Sequence, residues 1–267
     1  MKTLLMMVAT AVIVQARQVE VANTGLVKLK VVGGKPAVET VYLNGQGPYR
    51  FLVDTGAEPN VVDAKLARKL GIEARFTTKM LTPAGMTAAG CAKVGRATLG
   101  PAEATDQLFL VTRLDYQPWA GAHSIRGILG QSFLSQFDYT IDFEKRELVF
   151  GKAVTSRSPV PFRRIHNLIA IATSEGDLVL DSGIGTLLLF RASAAVGRTV
   201  EIRASSGLTA KVSLDSAPEL RIGGQIYHPG TAAFEPREGQ IANGLLPASL
   251  FRAVFVCNSA GYVVIDP

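Results

Sequence analysis

Short stretches in which apolar and polar residues alternate recur along the chain, and glycine-containing turns separate them. Residues 26–31, 38–43 and 49–53 are three such stretches, and the turn cluster at residues 44–48 divides the second from the third. A period of two places successive side chains on opposite faces of a β-strand, so each stretch predicts a strand. Together they predict an all-β protein.

Two short helices are the predicted exceptions to this pattern. Asp63 is suited to cap a helix over residues 64–70, and Gly71 is suited to end it. A second helix is predicted over residues 131–136, directly after the sequence Gly-Ile-Leu-Gly at residues 127–130.

The second half of the chain repeats the first in order and in kind. An apolar strand leads into Asp54-Thr55-Gly56, and a similar strand leads into Asp181-Ser182-Gly183. Two further pairs of segments correspond in the same order, namely residues 85–88 with 207–210 and residues 127–129 with 244–246.

An internal repeat of this length predicts two similar lobes rather than one undivided core. We place the first lobe at residues 24–156 and the second at residues 157–267. The proline-containing segment at residues 156–161 is suited to link them, because proline stiffens the chain and cannot donate to a ladder.

Composition excludes several classes of protein. The 267 residues are 48% hydrophobic and 19% charged, with 26 Gly and 13 Pro, which is typical of a turn-rich globular protein and excludes wholesale disorder. Cys91 and Cys257 are too few for a disulfide framework, and no Cys-x-x-Cys spacing is present to hold zinc. We expect two buried free thiols, with a single bridge between them as the alternative.

The net charge of +6 raises the question of nucleic-acid binding. The basic residues are scattered in runs of at most two, such as Arg163-Arg164, and no aromatic residues alternate with them. We therefore expect a solvated basic surface and no nucleic-acid partner.

The N-terminus resembles a secretory signal. Lys2 precedes an apolar run at residues 4–14. Val14 and Ala16, a branched and a small residue, stand three and one positions before a cleavage site after Ala16. The run is too short to span a bilayer, so a permanent anchor is the weaker alternative. The sequence predicts a signal peptide at residues 1–16 and a secreted or periplasmic protein without a stable membrane span.

The two Asp-Thr/Ser-Gly triplets have the character of a catalytic site. Each Asp ends an apolar strand, where its carboxylate emerges at a rigid and partly desolvated point. The Gly permits a tight turn, and the hydroxyl of Thr55 or Ser182 is expected to bond locally. One such triplet arises by chance in about one chain in ten of this composition, but two at matching points of a repeat do not.

Residues 51–57, Phe-Leu-Val-Asp-Thr-Gly-Ala, resemble the retropepsin form of the aspartic protease motif. Residues 127–130, ahead of the predicted helix, resemble the apolar-apolar-Gly element of that family. The resemblance covers nearly all of the chain after the signal. It implies a bilobal acid-protease fold, in which two similar β-barrel-like lobes with short helices face each other across a cleft.

The resemblance also implies the roles of individual residues. Asp54 and Asp181 would be catalytic, and Thr55, Gly56, Ser182 and Gly183 would support them. The segments at residues 82–90 and 204–210 would be flaps over the cleft, or else plain surface hairpins. A peptide or protein would be the substrate. Because the chain supplies both aspartates, a monomer should suffice.

The implied chemistry follows from two carboxyl groups held close together. Like charges at about 3 Å cannot both ionise, and aspartic proteases are the general example of a pair that therefore shares one proton. The ionised member takes a proton from water while the protonated member polarises the scissile carbonyl. This route requires no cofactor and no metal.

The second lobe departs from the family pattern. Ile184 follows Gly183, where family members carry Ala or a hydroxyl, and Pro247 stands where the first lobe has Gly130. A non-catalytic secreted peptide-binding or structural protein with a degenerate second lobe is therefore the alternative function. Without hydroxyls at Ala57 and Ile184, the pair should keep its shared proton to a higher pH, which predicts a mildly acidic to near-neutral optimum.

Other hydrolase classes fit the sequence less well. The three histidines lack the His-Glu-x-x-His spacing of a metallopeptidase, and neither Ser132 nor Ser182 lies in Gly-x-Ser-x-Gly. A glycosidase with paired carboxylates remains conceivable, but it does not explain why each Asp has the same Thr/Ser-Gly sequel.

Overall fold

A computed structural model describes residues 25–32, 34–82, 84–114, 124–151, 157–191, 198–204, 206–215, 219–234 and 241–266. The signal peptide predicted at residues 1–16 lies outside these ranges. Within them, no helix has both the length and the apolar character needed to cross a membrane.

Strands make up most of the described first half of the chain. They are β1 Gly25–Lys28, β2 Lys30–Val32, β3 Lys35–Leu43, β4 Gln46–Val53, β5 Asn60–Asp63, β6 Phe76–Thr82, β7 Gly85–Leu99, β8 Ala102–Thr112, β9 Gly127–Leu129, β10 Tyr139–Asp142 and β11 Glu147–Phe150. The helices are α1 Ala64–Lys69 and α2 Gln131–Leu134.

The described second half is also built of strands, with one 3-10 turn at Ala248–Leu250. The strands are β12 Val160–Ile165, β13 Leu168–Thr173, β14 Gly176–Asp181, β15 Leu187–Phe190, β16 Thr199–Arg203, β17 Thr209–Asp215, β18 Leu220–Ile222, β19 Gln225–Tyr227, β20 Thr231–Phe234, β21 Gly244–Pro247, β22 Ala253–Cys257 and β23 Tyr262–Ile265. The all-β bilobal fold expected from the sequence is confirmed.

The internal repeat reappears in the way the strands pair. In the first half, β4 runs parallel to β9, β9 antiparallel to β5, and β5 parallel to β8. In the second half, β14, β21, β15 and β20 pair in the same order and with the same directions. The two strands that lead to Asp54 and Asp181 therefore occupy equivalent central positions.

One sheet crosses the boundary predicted at residues 156–157. Strands β1, β10 and β11 share a sheet with β22 and β23, and Ile141 of β10 lies opposite Val254 of β22. The remaining first-half strands, β2 to β9, form a sheet of their own. The two halves of the chain are thus joined by backbone hydrogen bonds, and the position of the lobe boundary stays a prediction.

The two helices form where local signals predict them. The side chain of Asp63 accepts a hydrogen bond from the N–H of Lys65 at 3.0 Å and so caps α1. Gly71, with φ of +65°, turns the chain away beyond its end. Helix α2 is shorter than the predicted span, because from residue 136 onward the backbone N–H groups bond three residues back, as in a 3-10 turn.

Apolar side chains from both halves form one large core cluster, which includes Val53 of β4 and Leu180 of β14. Smaller clusters lie on the other face of each central strand, around Leu52 in one half and Val179 in the other. Cys91 and Cys257 are buried and free, which confirms the expectation of two unbridged thiols.

Candidate active site

Asp54 and Asp181 lie at the ends of the two equivalent central strands. The three residues before each Asp are buried, so the strands cannot shift without exposing the core. The N–H of Asp54 donates to the carbonyl of Leu129 at 3.0 Å, and Asp181 lies opposite Pro247 in the β14–β21 ladder. Each carboxylate therefore starts from a fixed backbone position.

Thr55 and Ser182 join the two aspartate loops through four hydrogen bonds. The N–H of each residue donates to the hydroxyl oxygen of the other, both at 3.0 Å. The Thr55 hydroxyl donates to the carbonyl of Leu180 at 2.8 Å, and the Ser182 hydroxyl donates to that of Val53 at 2.7 Å. Local bonds are expected from the sequence. The hydroxyls instead reach the opposite lobe, because the loops meet back to back with both residues fully buried.

The glycines of the two triplets allow the loops to approach this closely. A Cβ added at Gly56 would lie 2.2 Å from Cγ of Asp181, and one added at Gly183 would lie 2.6 Å from Oδ2 of Asp54. Real Cβ atoms do not approach other atoms so closely. Each glycine thus leaves room for the carboxyl group of the opposite lobe.

The carboxyl groups of Asp54 and Asp181 lie close enough for each to influence the pKa of the other. Each also accepts a backbone N–H from its own loop, Asp54 from Gly56 at 3.0 Å and Asp181 from Gly183 at 2.6 Å. Burial raises the pKa of Asp54. Burial, and then the negative charge of Asp54, raise the pKa of Asp181 well above its ordinary value. A pair in this environment retains one proton at a pH where exposed carboxyl groups have lost theirs.

A sequence model of the family described as aspartyl protease matches residues 39–133, which contain Asp54, Thr55 and Gly56. This part of the chain is thus similar to the aspartyl protease family. Among solved structures, a retropepsin-like aspartic protease from Rickettsia conorii is similar, with 23% identity and a TM-score of 0.37 over 47% of this chain and 88% of that chain. No curated protein matches the chain.

Sequence reasoning missed Lys35, a charged neighbour of the two carboxyl groups. In the β3–β4 ladder, Ala37 lies opposite Leu52, and two more residues in this register place Lys35 opposite Asp54. Lys35 is half-buried, and its positive charge lowers the pKa of both Asp54 and Asp181. Counting back along the predicted hairpin from Asp54 would have found it.

The second lobe has no cation at the equivalent point. In the β13–β14 ladder, Ala170 lies opposite Val179, and the same extension places Leu168 opposite Asp181. Leu168 packs against the apolar cluster around Val179. The electrostatic support of the pair therefore comes from the first lobe.

Buried amide side chains hold the first aspartate loop from behind. The amide of Gln131 donates to the carbonyl of Thr55 at 3.0 Å. Asn60 accepts the N–H of Gly130 at 3.0 Å and donates to Gln107 at 3.3 Å. Asn60 and Gln131 are fully buried and Gln107 is nearly so. Sequence reasoning missed these residues, since a polar residue after a turn is usually exposed.

Among the described residues of the second half, no such network supports the loop around Asp181. Pro247 replaces Gly130 and has no N–H to donate, and Ala248 replaces Gln131. Ile184 packs beside Leu188 and Leu245 in an apolar cluster. The loop around Asp181 is thus supported by apolar contacts where the loop around Asp54 is supported by hydrogen bonds.

Both segments proposed as flaps are hairpin tips in the structure. Thr82 pairs with Gly85 where β6 turns into β7. Between β16 and β17, the N–H of Ala204 donates to the carbonyl of Leu208 at 2.8 Å. Leu81 and Met86, on the first hairpin, are exposed to 49% and 58%. A role for either hairpin in covering a substrate stays a prediction.

Proposed function

We propose that this protein is an aspartic endopeptidase, in which Asp54 and Asp181 together activate a water molecule for peptide hydrolysis. One observation carries the proposal: the carboxyl groups of Asp54 and Asp181 come from different lobes, and each lies against the glycine of the opposite Asp-Thr/Ser-Gly triplet. Burying two carboxyl groups side by side is costly for stability. Such an arrangement is typical of a site where a shared proton is used.

The reaction needs one proton on the pair at its start. The ionised carboxylate accepts a proton from water while the water oxygen bonds to the scissile carbonyl carbon, and the protonated carboxyl donates its proton to the carbonyl oxygen. In the second step of the reaction, a hydroxyl of the tetrahedral intermediate gives a proton to the ionised carboxylate. The carboxyl that took its proton from water donates that proton to the amide nitrogen, and the C–N bond breaks. The pair again holds one proton. Because the two groups titrate as a unit, the roles belong to the pair.

The first hairpin is suited to cover a bound peptide. Its apolar residues Leu81 and Met86 are exposed to solvent. Contact with a substrate would bury this apolar surface and so favour binding. A peptide held between this hairpin and the carboxyl pair would be sheltered from bulk water, which strengthens the electrostatic interactions at the reacting atoms.

Three further features belong to the same proposal. The protein acts as a monomer, because one chain supplies both carboxyl groups. It is exported by the segment at residues 1–16 and works outside the cytoplasm. Its lobes correspond to residues 24–156 and 157–267. Specific activity that stays constant on dilution would support the monomer, whereas activity that falls with a monomer–dimer equilibrium would contradict it.

The test is to replace each aspartate by Asn and to measure cleavage of a mixed peptide library by mass spectrometry across acidic and neutral pH. We expect Asp54→Asn and Asp181→Asn each to lower kcat by about 10²–10⁴-fold, the usual contribution of a general acid–base group. Circular dichroism and thermal unfolding check that both variants fold. Peptide binding without cleavage by the wild type would instead support the non-catalytic alternative. Loss of activity in Asp54→Asn alone would make the second lobe structural.

A further inference from the structure

A pocket of about 570 Å³ lies in the first lobe, away from the carboxyl pair. It is lined by parts of β3, β4 and α1 and by the residues just before β9. Four basic side chains face it together with one acidic one: Arg50, Lys65, Lys69, Arg126 and Glu39. We refer to it as the basic pocket.

The charges of the basic pocket are unbalanced. Glu39 forms an ion pair with Arg50. Within the described ranges, no carboxylate lies at ion-pair distance from the side chains of Lys65, Lys69 or Arg126. An anionic ligand would supply the missing negative charge.

The backbone holds these positive charges close together. Lys65 and Lys69 are one helical turn apart on α1, a spacing at which like charges repel. Arg126 lies next to Arg50 in the β4–β9 ladder, and its N–H donates to the Arg50 carbonyl at 2.8 Å. Lys69 also lies over the ring of Tyr49, 5.9 Å from its centre. This repulsion is relieved when an anion binds.

The basic pocket also contains a polar group without a partner. The hydroxyl oxygen of Ser124 is buried, and no hydrogen-bond partner for it exists among the described residues. A buried hydroxyl without a hydrogen bond is costly, and a carboxylate oxygen in the pocket would satisfy it.

The basic pocket and the carboxyl pair lie along one face of the same hairpin. Opposite residues of an antiparallel ladder point to the same face, and so do alternate residues of one strand. The β3–β4 register aligns Ala37 with Leu52, and its extension aligns Lys35 with Asp54. Glu39 forms an ion pair with Arg50 next to a bulge in this ladder. Arg50 precedes Asp54 by four residues, which is about 13 Å along a strand.

We propose that the basic pocket is a specificity subsite for an acidic side chain of the peptide substrate, about four residues from the scissile bond. The proposal rests on the proposed function and extends it. An extended peptide advances about 3.3 Å per residue, so four of its residues match the length of strand between Asp54 and Arg50. A Glu or Asp there meets Lys65, Lys69 and Arg126.

The test compares two peptides that differ in one residue. One carries Glu four positions from the cleaved bond and the other carries Gln, and the same pair is made for the opposite side of the bond. We expect the wild type to prefer the Glu peptide by about three- to tenfold in kcat/KM at low salt, as two or three partly exposed charge contacts would give. The preference should shrink as salt rises, because surface charges are screened.

Variants assign the preference to this pocket. The double variant Lys65→Gln with Lys69→Gln should bring the ratio of the two kcat/KM values close to one. Arg68→Gln is the matched control, since it removes one charge from the same helix at an exposed position outside the pocket. Equal cleavage of the Glu and Gln peptides by the wild type, or an equal loss of preference in Arg68→Gln, would overturn the proposal.

A binding measurement separates this proposal from the proposed function. Full-length Asp54→Asn is titrated with the fluorescein-labelled Glu and Gln peptides, and anisotropy is measured with inorganic phosphate as competitor. Tighter binding of the Glu peptide that Lys65→Gln with Lys69→Gln abolishes would support the subsite even if the wild type cut nothing, and only the proposed function would then fail. Phosphate binding without any preference for the Glu peptide would make the pocket a general anion site and would overturn the peptide assignment.

Discussion

Amide side chains support the loop around Asp54, whereas apolar packing supports the loop around Asp181. Gln131 donates to the carbonyl of Thr55 in the first loop, and Asn60 accepts the N–H of Gly130 behind it. At the matching places of the second lobe stand Ala248 and apolar neighbours. Yet near-symmetric hydrogen bonds between Thr55 and Ser182 join the two loops. The symmetry of the site is therefore set at the contact between the lobes and not by what lies behind each loop.

The two carboxyl groups nevertheless have different surroundings. Asp181 is 6% exposed, while Asp54 is only partly buried. The cation near the pair, Lys35, comes from the first lobe, and Leu168 takes the matching place in the second. An internal repeat can thus keep the geometry of a site while the charges around the site come from only one of its halves.

The largest expected effect tests the symmetric part of this comparison. Gly56→Ala and Gly183→Ala should each lower kcat by about a hundredfold or more, because the added Cβ displaces the opposite carboxyl group from its position in the pair. The matched control is Gly185→Ala, since a Cβ there meets nothing within 4 Å. Peptide cleavage kinetics measure the effect. A strong loss at only one of the two glycines would show that the lobes do not contribute equally.

The next effect concerns stability and tests the asymmetric part. Gln131→Ala copies the second lobe, which has Ala248 at that place, and leaves the buried carbonyl of Thr55 without its donor. The free energy of unfolding should fall by about 1–3 kcal/mol in urea titrations. Gln136→Ala is the control. The hydrogen bond from the Gln136 amide to the Ser132 carbonyl is exposed, so its loss should lower the free energy of unfolding only a little. An equal loss in both variants would show that the network does not stabilise the loop.

The pH profile tests the one-sided charge. The positive charge of Lys35 favours the ionised carboxylates and lowers the pKa of Asp54 and Asp181. Lys35→Met should therefore raise both pKa values, and both limbs of the kcat/KM profile should move to higher pH. Lys30→Met, at an exposed position of the neighbouring strand, should leave the profile in place. Limbs that stay fixed or move to lower pH in Lys35→Met would exclude this role.

The smallest effect concerns the residues after the two glycines. A hydroxyl at position 57 would donate to the ionised carboxylates and lower their pKa, so Ala57→Thr should move the upper limb of the profile to lower pH. Ala57→Val adds similar volume without a donor and is the control. Ile184→Thr makes the same comparison in the second lobe. An upper limb that is unchanged or raised in Ala57→Thr would show that the absent hydroxyl does not set the working pH.

Much of the fold was accessible from the sequence because its signals are local. Alternation with a period of two identified the strands, and Asp63 with Gly71 marked the ends of α1, since caps and turns depend on residues a few positions apart. The repeated triplets identified Asp54 and Asp181 as a pair, because a duplicated motif needs no knowledge of contacts.

Tertiary structure alone decided which distant groups meet. The hydroxyls of Thr55 and Ser182 bond across the lobes to residues more than a hundred positions away, and the sequence suggested only local partners. Lys35 reaches the carboxyl pair, and Lys69 reaches the basic pocket beside Arg50, because sheet register and helix packing bring them there. Such contacts depend on how strands pair over long separations, which local propensity does not encode.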